Sequence, residues 1–410
     1  MLKRKNYWLL YLIVMLSLMS LSPSMELDTD EESYRVQRPQ DQLTYPSTGE
    51  TGVVERLRIS VSLSRTEFLE LQALSSSYTQ SSGIEILLSN RDGEDAEQQL
   101  KQDLTLGDSP DIIMTDARNI LDLATQGYLL PVDVYQSIPG SAPLTGLIPQ
   151  MQWNGYDWGV PLDVDPYVIA YSPERLAGLG IKQLPRSLDE WDQLLQGFPP
   201  QDGKYLLALD TRNAYGLSAL LQNVGSSLLE NDVEALGWVQ SHRGQFYLTS
   251  RYNEDIWDML KSGTLAAAAV PLSEWQQRGD STLAAEAPLT VEKGAWPEAL
   301  YSRSFALPAQ SQNPEEAVKW LAFITSEASQ REWMQSTGRL PALELLYRSG
   351  QLLSYNLPFS TDLLLTDEAA PADKSRGGWA EIMEAAAGLL TGKLDTAGYL
   401  AATGEADASE

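Results

Sequence analysis

The chain lacks cysteine entirely and contains one histidine, His242. Without cysteine it has no disulfide, no thiol nucleophile and no thiolate-bound metal. A Ser-His-Asp triad or a multi-histidine metal site would have to use His242, which lies in a polar stretch with no nucleophile or ligand motif beside it. We therefore expect a surface or hydrogen-bonded histidine, no catalytic residue, no metal site and no cofactor.

Basic residues are also scarce. Lys and Arg number 29 against 56 Asp and Glu, which gives a formal net charge of -27. Such a surface repels the phosphates of nucleic acids and of anionic lipids, so neither is an expected partner. Solubility is the ordinary reason for this acidity. At 410 residues the chain is too long for one core, and two domains are expected.

The N-terminus carries an apolar run from Tyr7 to Leu21, preceded by basic residues and followed by Ser22-Pro23-Ser24. That order is typical of an export signal. The run has about 15 apolar residues, fewer than a spanning helix needs. Residues 1–25 are therefore predicted to be a cleaved signal peptide or an uncleaved signal anchor, and both place the rest of the chain outside the cytoplasm. Acidic, aperiodic residues 26–56 are predicted to be a flexible linker.

From Leu57 onward, strand patterns alternate with helix patterns. Residues 57–63 alternate as a strand, and Ser64 to Glu67 has the spacing of a capping box that opens a helix ending at Gly83. Strands are predicted at 84–88, 111–114, 168–171, 205–209, 265–270 and 304–307, with helices near 95–106, 119–125, 173–178, 187–195, 252–262, 313–324 and 326–336. This order favours an α/β fold with a mostly parallel sheet, whose strand-to-helix turns gather at one edge.

Six segments along the chain carry a family resemblance. The first three are the strand–helix–strand unit of 57–88, Gly107-Asp108-Ser109-Pro110-Asp111-Ile112-Ile113, and Ala124-Thr125-Gln126-Gly127-Tyr128-Leu129-Leu130-Pro131. The fourth is Trp158-Gly159-Val160-Pro161-Leu162-Asp163-Val164-Asp165, and the fifth runs from Asn313-Pro314-Glu315-Glu316 to Thr337-Gly338-Arg339-Leu340-Pro341. The sixth is the pair Trp379-Ala380-Glu381-Ile382-Met383 and Leu390-Thr391-Gly392-Lys393. Together they resemble the extracellular solute-binding protein family 1, the sugar-binding type of ABC importers, over nearly all of residues 57–400.

The resemblance implies a two-lobed periplasmic-binding-protein-like fold of class II. Each lobe would be a mixed, mostly parallel sheet flanked by helices, with a hinge between the lobes. Lobe one would comprise 57–161 plus 303–325, lobe two 162–302 plus 326–400, and residues 401–410 a disordered tail. The chain would cross between the lobes near Pro161–Asp165, Tyr301–Phe305 and Thr325–Ser329, and these crossings would form the hinge.

The resemblance also implies ligand-binding residues. Sugar sites combine aromatic faces, which cover C–H groups, with carboxylates and amides that pair hydroxyls. Asp165 matches the crossover carboxylate, and Asp163 and Asp165 could instead cap the hinge. Trp275 matches the family's cleft tryptophan, and Trp379 occupies the start of a late helix that also reaches the cleft; core packing is the alternative for both. The further candidates are Asn213 and Tyr215 in lobe two, and Arg65, Thr115, Asp116, Arg118 and Asn119 in lobe one. Trp191, Trp320 and Trp333 are predicted to be core residues.

The sequence departs from the family pattern at two points. Thr115 stands where maltose-binding members carry an aromatic residue, so lobe one lacks a stacking platform unless Tyr128, Trp153 or Tyr156 supplies one. That weakens the expectation of a maltose-like ligand. The lipobox cysteine of many relatives is also missing, which excludes a cysteine-linked lipoprotein.

The resemblance implies a monomeric, extracytoplasmic solute-binding protein of an ABC transporter. It would capture a small solute, a sugar or oligosaccharide, between its lobes and deliver it to the permease transmembrane subunits. One alternative is a membrane-tethered ligand sensor of the same fold. A carboxylate glycosidase or lyase would need two acids flanking the scissile bond, and no motif singles out such a pair. The protein is therefore expected to be a binding protein and not an enzyme.

Overall fold

A computed structural model describes residues 56–91, 96–135, 142–198, 203–249, 255–288, 298–355, 357–365 and 378–404. The predicted signal segment and nearly all of the predicted linker lie outside the described residues. Within the described ranges, no helix is long and apolar enough to cross a membrane. The last helix continues to Thr403, into the segment predicted to be a disordered tail, and the Thr403 side chain is buried there.

The strands are β1 Arg56–Val61, β2 Glu85–Asn90, β3 Ile112–Asp116, β4 Leu129–Leu130, β5 Gln152–Trp153, β6 Tyr156–Asp157, β7 Val160–Tyr171, β8 Tyr205–Asp210, β9 Phe246–Thr249, β10 Leu265–Pro271, β11 Ala284–Glu286, β12 Leu300–Pro308 and β13 Leu340–Pro341. The α-helices are α1 Arg65–Ser82, α2 Ala96–Leu106, α3 Ile120–Thr125, α4 Pro173–Gly178, α5 Leu188–Leu195, α6 Tyr215–Asn223, α7 Val233–His242, α8 Asp255–Ser262, α9 Leu272–Arg278, α10 Pro314–Ile324, α11 Glu327–Thr337, α12 Glu344–Arg348, α13 Trp379–Thr391 and α14 Thr396–Thr403.

The strands form two sheet halves with the same order of strand directions. In lobe one the order is β2-β1-β3-β12, with β1 parallel to β2 and β3, and β12 antiparallel to β3. In lobe two the order is β9-β8-β10-β7, with β8 parallel to β9 and β10, and β7 antiparallel to β10. Each half is therefore a mostly parallel sheet closed by one antiparallel strand, as the fold class predicted.

Strand β7 joins the two halves. Its first part pairs with β12 and β13, and its second part pairs with β10 and β11. All of its residues are buried. The sequence predicted a strand only at 168–171, because Pro161, Pro166 and two aspartates break the apolar run that marks a buried strand. The structure extends that strand back to Val160 because ion pairs satisfy the buried aspartates.

Local capping chemistry begins and ends helix α1, and begins helix α5, where the sequence predicted. Ser64 accepts a hydrogen bond from the Glu67 backbone N–H while the Glu67 carboxylate accepts one from the Ser64 N–H, so the predicted capping box of α1 is confirmed. Helix α1 ends at Gly83, whose φ of 80° lies in the left-handed region that favours glycine. The second predicted cap, Ser187, likewise accepts from the Glu190 N–H.

Three apolar clusters build the core. Trp320 and Trp333 pack with Leu57 and Phe305 under the lobe-one sheet, and Trp191 packs in the lobe-two cluster. All three tryptophans are fully buried, which confirms their prediction as core residues. Helix α11, which follows the third predicted crossing, packs against α1 beside lobe one through Trp333. The exact lobe boundaries stay a prediction.

Candidate functional site

The crossing strands carry a buried ionic cluster, which we define as Glu67, Asp163, Asp165, Arg303 and Arg339. Arg303 donates to both carboxylate oxygens of Asp163 and lies 3.1 Å from Glu67 Oε1. Arg339 pairs with Glu67 and, at 3.0 Å, with Asp165 Oδ2. These groups are nearly inaccessible to water, so each charge depends on its partners for compensation.

This ionic cluster ties together elements of both lobes. Glu67 belongs to α1, Asp163 and Asp165 to β7, and Arg303 to β12, while Arg339 precedes β13. Ser273 at the start of α9 donates to Asp165 from its N–H at 2.8 Å and from its Oγ at 2.6 Å. The Trp333 indole N–H donates to Asp163 at 2.9 Å. The carboxylate predicted for ligand binding is therefore fully engaged at the crossing, and its role in binding stays a prediction.

Two other predicted residues meet across the lobes. Asp116 ends β3 in lobe one, and Tyr215 begins α6 in lobe two. The Tyr215 hydroxyl donates to the Asp116 carboxylate, with oxygen distances of 2.7 and 2.9 Å. Only 1% of Tyr215 is exposed. This hydrogen bond joins the end of β3 in one sheet half to the start of α6 in the other.

Aromatic rings surround that contact. Tyr215 lies 5.8 Å from Tyr167, 5.1 Å from Tyr301 and 5.1 Å from Trp379, measured between ring centroids. The Arg118 guanidinium stacks 4.5 Å from the Trp379 ring in a cation–π contact. Four of the ten predicted binding residues, Asp116, Arg118, Tyr215 and Trp379, therefore come together at one point.

The carboxyl groups at this interface have raised pKa values, because burial disfavours their charged form. Burial raises the pKa of Asp116, although the Tyr215 hydroxyl lowers it, and burial also raises the pKa of Glu97 beside it. The pKa of Asp122 is raised by burial and by the nearby Glu381. Polar atoms here also lack a protein hydrogen-bond partner within the described ranges, namely Arg118 Nε, Asn119 Oδ1 and Trp379 Nε1. A polar ligand with several donors and acceptors would satisfy such groups.

A small cavity opens at the carboxyl edge of the lobe-two sheet. Asp210, Thr249 and Pro271, which end β8, β9 and β10, line it together with Tyr167 and Glu274. Its free volume is about 20 Å³, enough for one water-sized group. Burial raises the pKa of Glu274 to about 7. The sequence analysis did not single out Glu274, because the cavity is formed by residues from distant parts of the chain.

The remaining predicted residues are more dispersed. The Asn119 amide donates to Glu97, next to Asp116. Asn213 Oδ1 accepts from the Tyr215 N–H at 3.0 Å, so it positions the start of α6. Trp275 is half-buried 6.2 Å from Trp257, Thr115 pairs with Ser304 in the sheet, and Arg65 is exposed on the first turn of α1. Their roles in binding stay predictions.

The aromatic residues proposed as lobe-one platforms contact other groups. Tyr128 lines a separate cavity with Ser109 and Gln310, and Trp153 packs on Trp158 in the β5–β6 hairpin that also holds Tyr156. His242 contacts the Trp238 carbonyl oxygen through Nδ1, which confirms a hydrogen-bonded histidine. Among the residues described, no group of three or more His, Cys, Asp or Glu could hold a metal ion.

Replacing Tyr215 by Phe should open the cleft. The variant keeps the ring contacts but loses the hydrogen bond to Asp116, and a bond to a charged group contributes about 1.5–3 kcal/mol. We expect the ratio of closed to open forms to fall by about tenfold or more. The cysteine-free chain allows spin labels at the exposed Leu69 and Val233, one in each lobe, whose separation reports closure.

The matched control is Tyr399→Phe, which loses a hydroxyl that donates to the Leu228 carbonyl oxygen within lobe two. It should leave the distance distribution unchanged. Equal distributions for Tyr215→Phe and the unmodified chain would show that the Asp116 contact does not hold the lobes together.

Comparison with known proteins gives a family match. Residues 73–355 match the family model described as bacterial extracellular solute-binding protein. No curated protein sequence is similar enough to match this chain.

Solved structures share the fold at low sequence identity. The GacH receptor of Streptomyces glaucescens, solved unliganded and with acarbose, has a TM-score of 0.65 at 18% identity, covering 86% of this chain and 97% of its own. A solute-binding protein of Thermotoga lettingae bound with α-D-tagatose has a TM-score of 0.65 at 15% identity, with coverages of 85% and 97%. MalX of Streptococcus pneumoniae with maltopentaose has a TM-score of 0.60 at 16% identity, with coverages of 84% and 98%.

Proposed function

Because the chain belongs to the bacterial extracellular solute-binding protein family, we propose that it captures a sugar or oligosaccharide in the cleft between its lobes. The observation that carries this proposal is the convergence of Asp116 and Arg118 from lobe one with Tyr215 and Trp379 from lobe two. Aromatic faces beside carboxylate and guanidinium groups match the alternating C–H faces and hydroxyls of a sugar ring. The sugar ligands of the structural relatives support the same class.

The proposed mechanism is capture by lobe closure. The ligand would stabilise the closed form through contacts that it makes only when the two lobes meet. A ligand with equal contacts in the open and closed forms would not shift the equilibrium between them. The closed protein would then deliver the ligand to the transmembrane subunits of an ABC permease, acting as a monomer without catalysis. We further propose that the N-terminal segment exports the chain and, if uncleaved, tethers it to the outer face of the membrane.

A ligand screen tests this function. Binding stabilises the folded chain by mass action, by about 2.7 kcal/mol at one hundred times the dissociation constant. We expect a thermal shift that grows with concentration for a particular sugar or oligosaccharide and is missing for amino acids and simple polyols. A full carbohydrate panel without any shift would overturn the sugar assignment.

Trp379→Phe should weaken that binding by about tenfold, because it loses the indole N–H and part of the stacking face. Isothermal titration with the identified sugar measures the change. Trp238→Phe is the matched control, since Trp238 is similarly buried, at 8% exposed against 5% for Trp379, and its indole donates to Asp192 away from the cleft. Equal affinities for the two variants would remove Trp379 from the site.

A further inference from the structure

Glu274 has a buried carboxyl group that faces a cavity, and one oxygen of that group has no protein partner among the described residues. The residue is 8% exposed and lines the cavity at the ends of β8, β9 and β10. Within the described residues, its Oε1 accepts no hydrogen bond from the protein. The indole N–H of Trp257 lowers the pKa of Glu274, but within the described residues it makes no hydrogen bond of ordinary geometry.

Burial and nearby charges both act on Glu274. Burial raises its pKa most, Arg278 on the same helix lowers it, and Asp165 and Asp210 raise it. Asp210 is itself engaged, since Arg212 donates to both of its oxygens. Among the described residues that line the cavity, none is Lys or Arg. A buried carboxylate without a directly bonded cation is costly, so this place favours a positive charge.

The cavity adjoins the candidate site through Tyr167. Tyr167 lines the cavity and stacks on Tyr215, whose hydroxyl reaches Asp116 on the opposite lobe. A free volume of about 20 Å³ admits one small substituent and not a sugar ring. The cavity can therefore recognise a single group of a ligand whose body lies in the cleft.

We propose that Glu274 is a specificity-determining residue that receives a protonated amine of the ligand, so that the cleft selects an amino sugar over its neutral parent. This inference rests on the proposed sugar-binding function and specifies its ligand class. An ammonium group is water-sized, donates three hydrogen bonds and neutralises the carboxylate. A hydroxyl in the same place donates one hydrogen bond and leaves the charge uncompensated.

The test compares hexosamines and their oligomers with the corresponding neutral hexoses by isothermal titration at pH 7. We expect about tenfold tighter binding of the amine in the unmodified protein, and a preference below about twofold in Glu274→Gln. Glu332→Gln, an exposed glutamate of α11, is the matched control and should keep the preference. Thermal melting of each variant establishes that it is folded.

Proton release is a second readout that a purely structural role would not change. A carboxyl group with a pKa of about 7 is half protonated at pH 7, and a bound cation would displace that proton. Titrations in two buffers of different ionisation enthalpy should therefore show about half a proton more released by the unmodified protein than by Glu274→Gln.

The outcomes separate this inference from the proposed function. Equal affinity for hexosamine and hexose would overturn the amine site and leave sugar binding intact. Binding of 1,4-diaminobutane that depends on Glu274, with no sugar bound, would support the amine site and overturn the sugar part of the function. No binding of any amine or sugar would overturn both.

Discussion

Replacing Asp163 by Asn is expected to lower the free energy of unfolding by about 3–5 kcal/mol, because it leaves a buried guanidinium without its closest counterion. Asp163 accepts hydrogen bonds from Arg303 through both oxygens and from the Trp333 indole N–H. All three side chains are buried, so water cannot replace a lost partner. Urea unfolding measures the loss, which should appear as a lower midpoint with an unchanged dependence on denaturant.

A surface ion pair provides the control for this prediction. Arg331 and Glu327 pair one turn apart on α11, and both side chains are more than 40% exposed. Glu327→Gln removes one charge, as Asp163→Asn does, but should cost only about 0.3–0.5 kcal/mol. Similar losses for the two variants would mean that water reaches the ionic cluster and screens it.

The second large effect is a pH-dependent gain of stability in Glu274→Gln. Burial raises the pKa of Glu274 from 4.5 to about 7, so the folded chain holds this proton more tightly than the unfolded chain does. Its contribution to stability is therefore complete below pH 4.5 and is lost as the pH rises through 7. At pH 8 the variant should be more stable than the unmodified protein by about 3 kcal/mol.

The difference between the two unfolding curves isolates this one group, since every other acid is common to both proteins. It should be near zero at pH 4.5 and reach its full value by pH 8. Glu332→Gln should give a flat difference curve. A constant difference for Glu274→Gln would show that the substitution acts through packing and not through the proton. The expected gain also fits a binding residue, because groups held in unfavourable places often serve function.

Much of the fold follows from local patterns in the sequence. The strands and helices between Leu57 and Met114 were predictable because capping residues, glycines and apolar periodicity agree there. The long strand β7 was predicted only in part. Asp163 and Asp165 were predicted to be hinge or cleft residues and not residues of a buried strand. Their partners Arg303 and Arg339 come from distant parts of the chain, so local sequence could not show that the two charges are compensated.

The candidate site shows the same division. The resemblance placed Asp116, Arg118, Tyr215 and Trp379 near a cleft, and the structure brings these four together. Local sequence could not indicate Glu274, since its environment depends on three strand ends and on Tyr167. It likewise could not show that Asp165 is engaged by Ser273 and Arg339, because both lie more than one hundred residues away.

Strand β7 has a consequence for how the protein can be divided. Both sheet halves use it, with β12 along its first part and β10 along its second. Cutting the chain between the lobes would leave one half without its closing antiparallel strand and with an unpaired edge, which invites association with other chains. The lobes are therefore not interchangeable modules, and a chimera that exchanges ligand preference would have to transplant the cleft-facing loops while keeping Val160–Tyr171 whole.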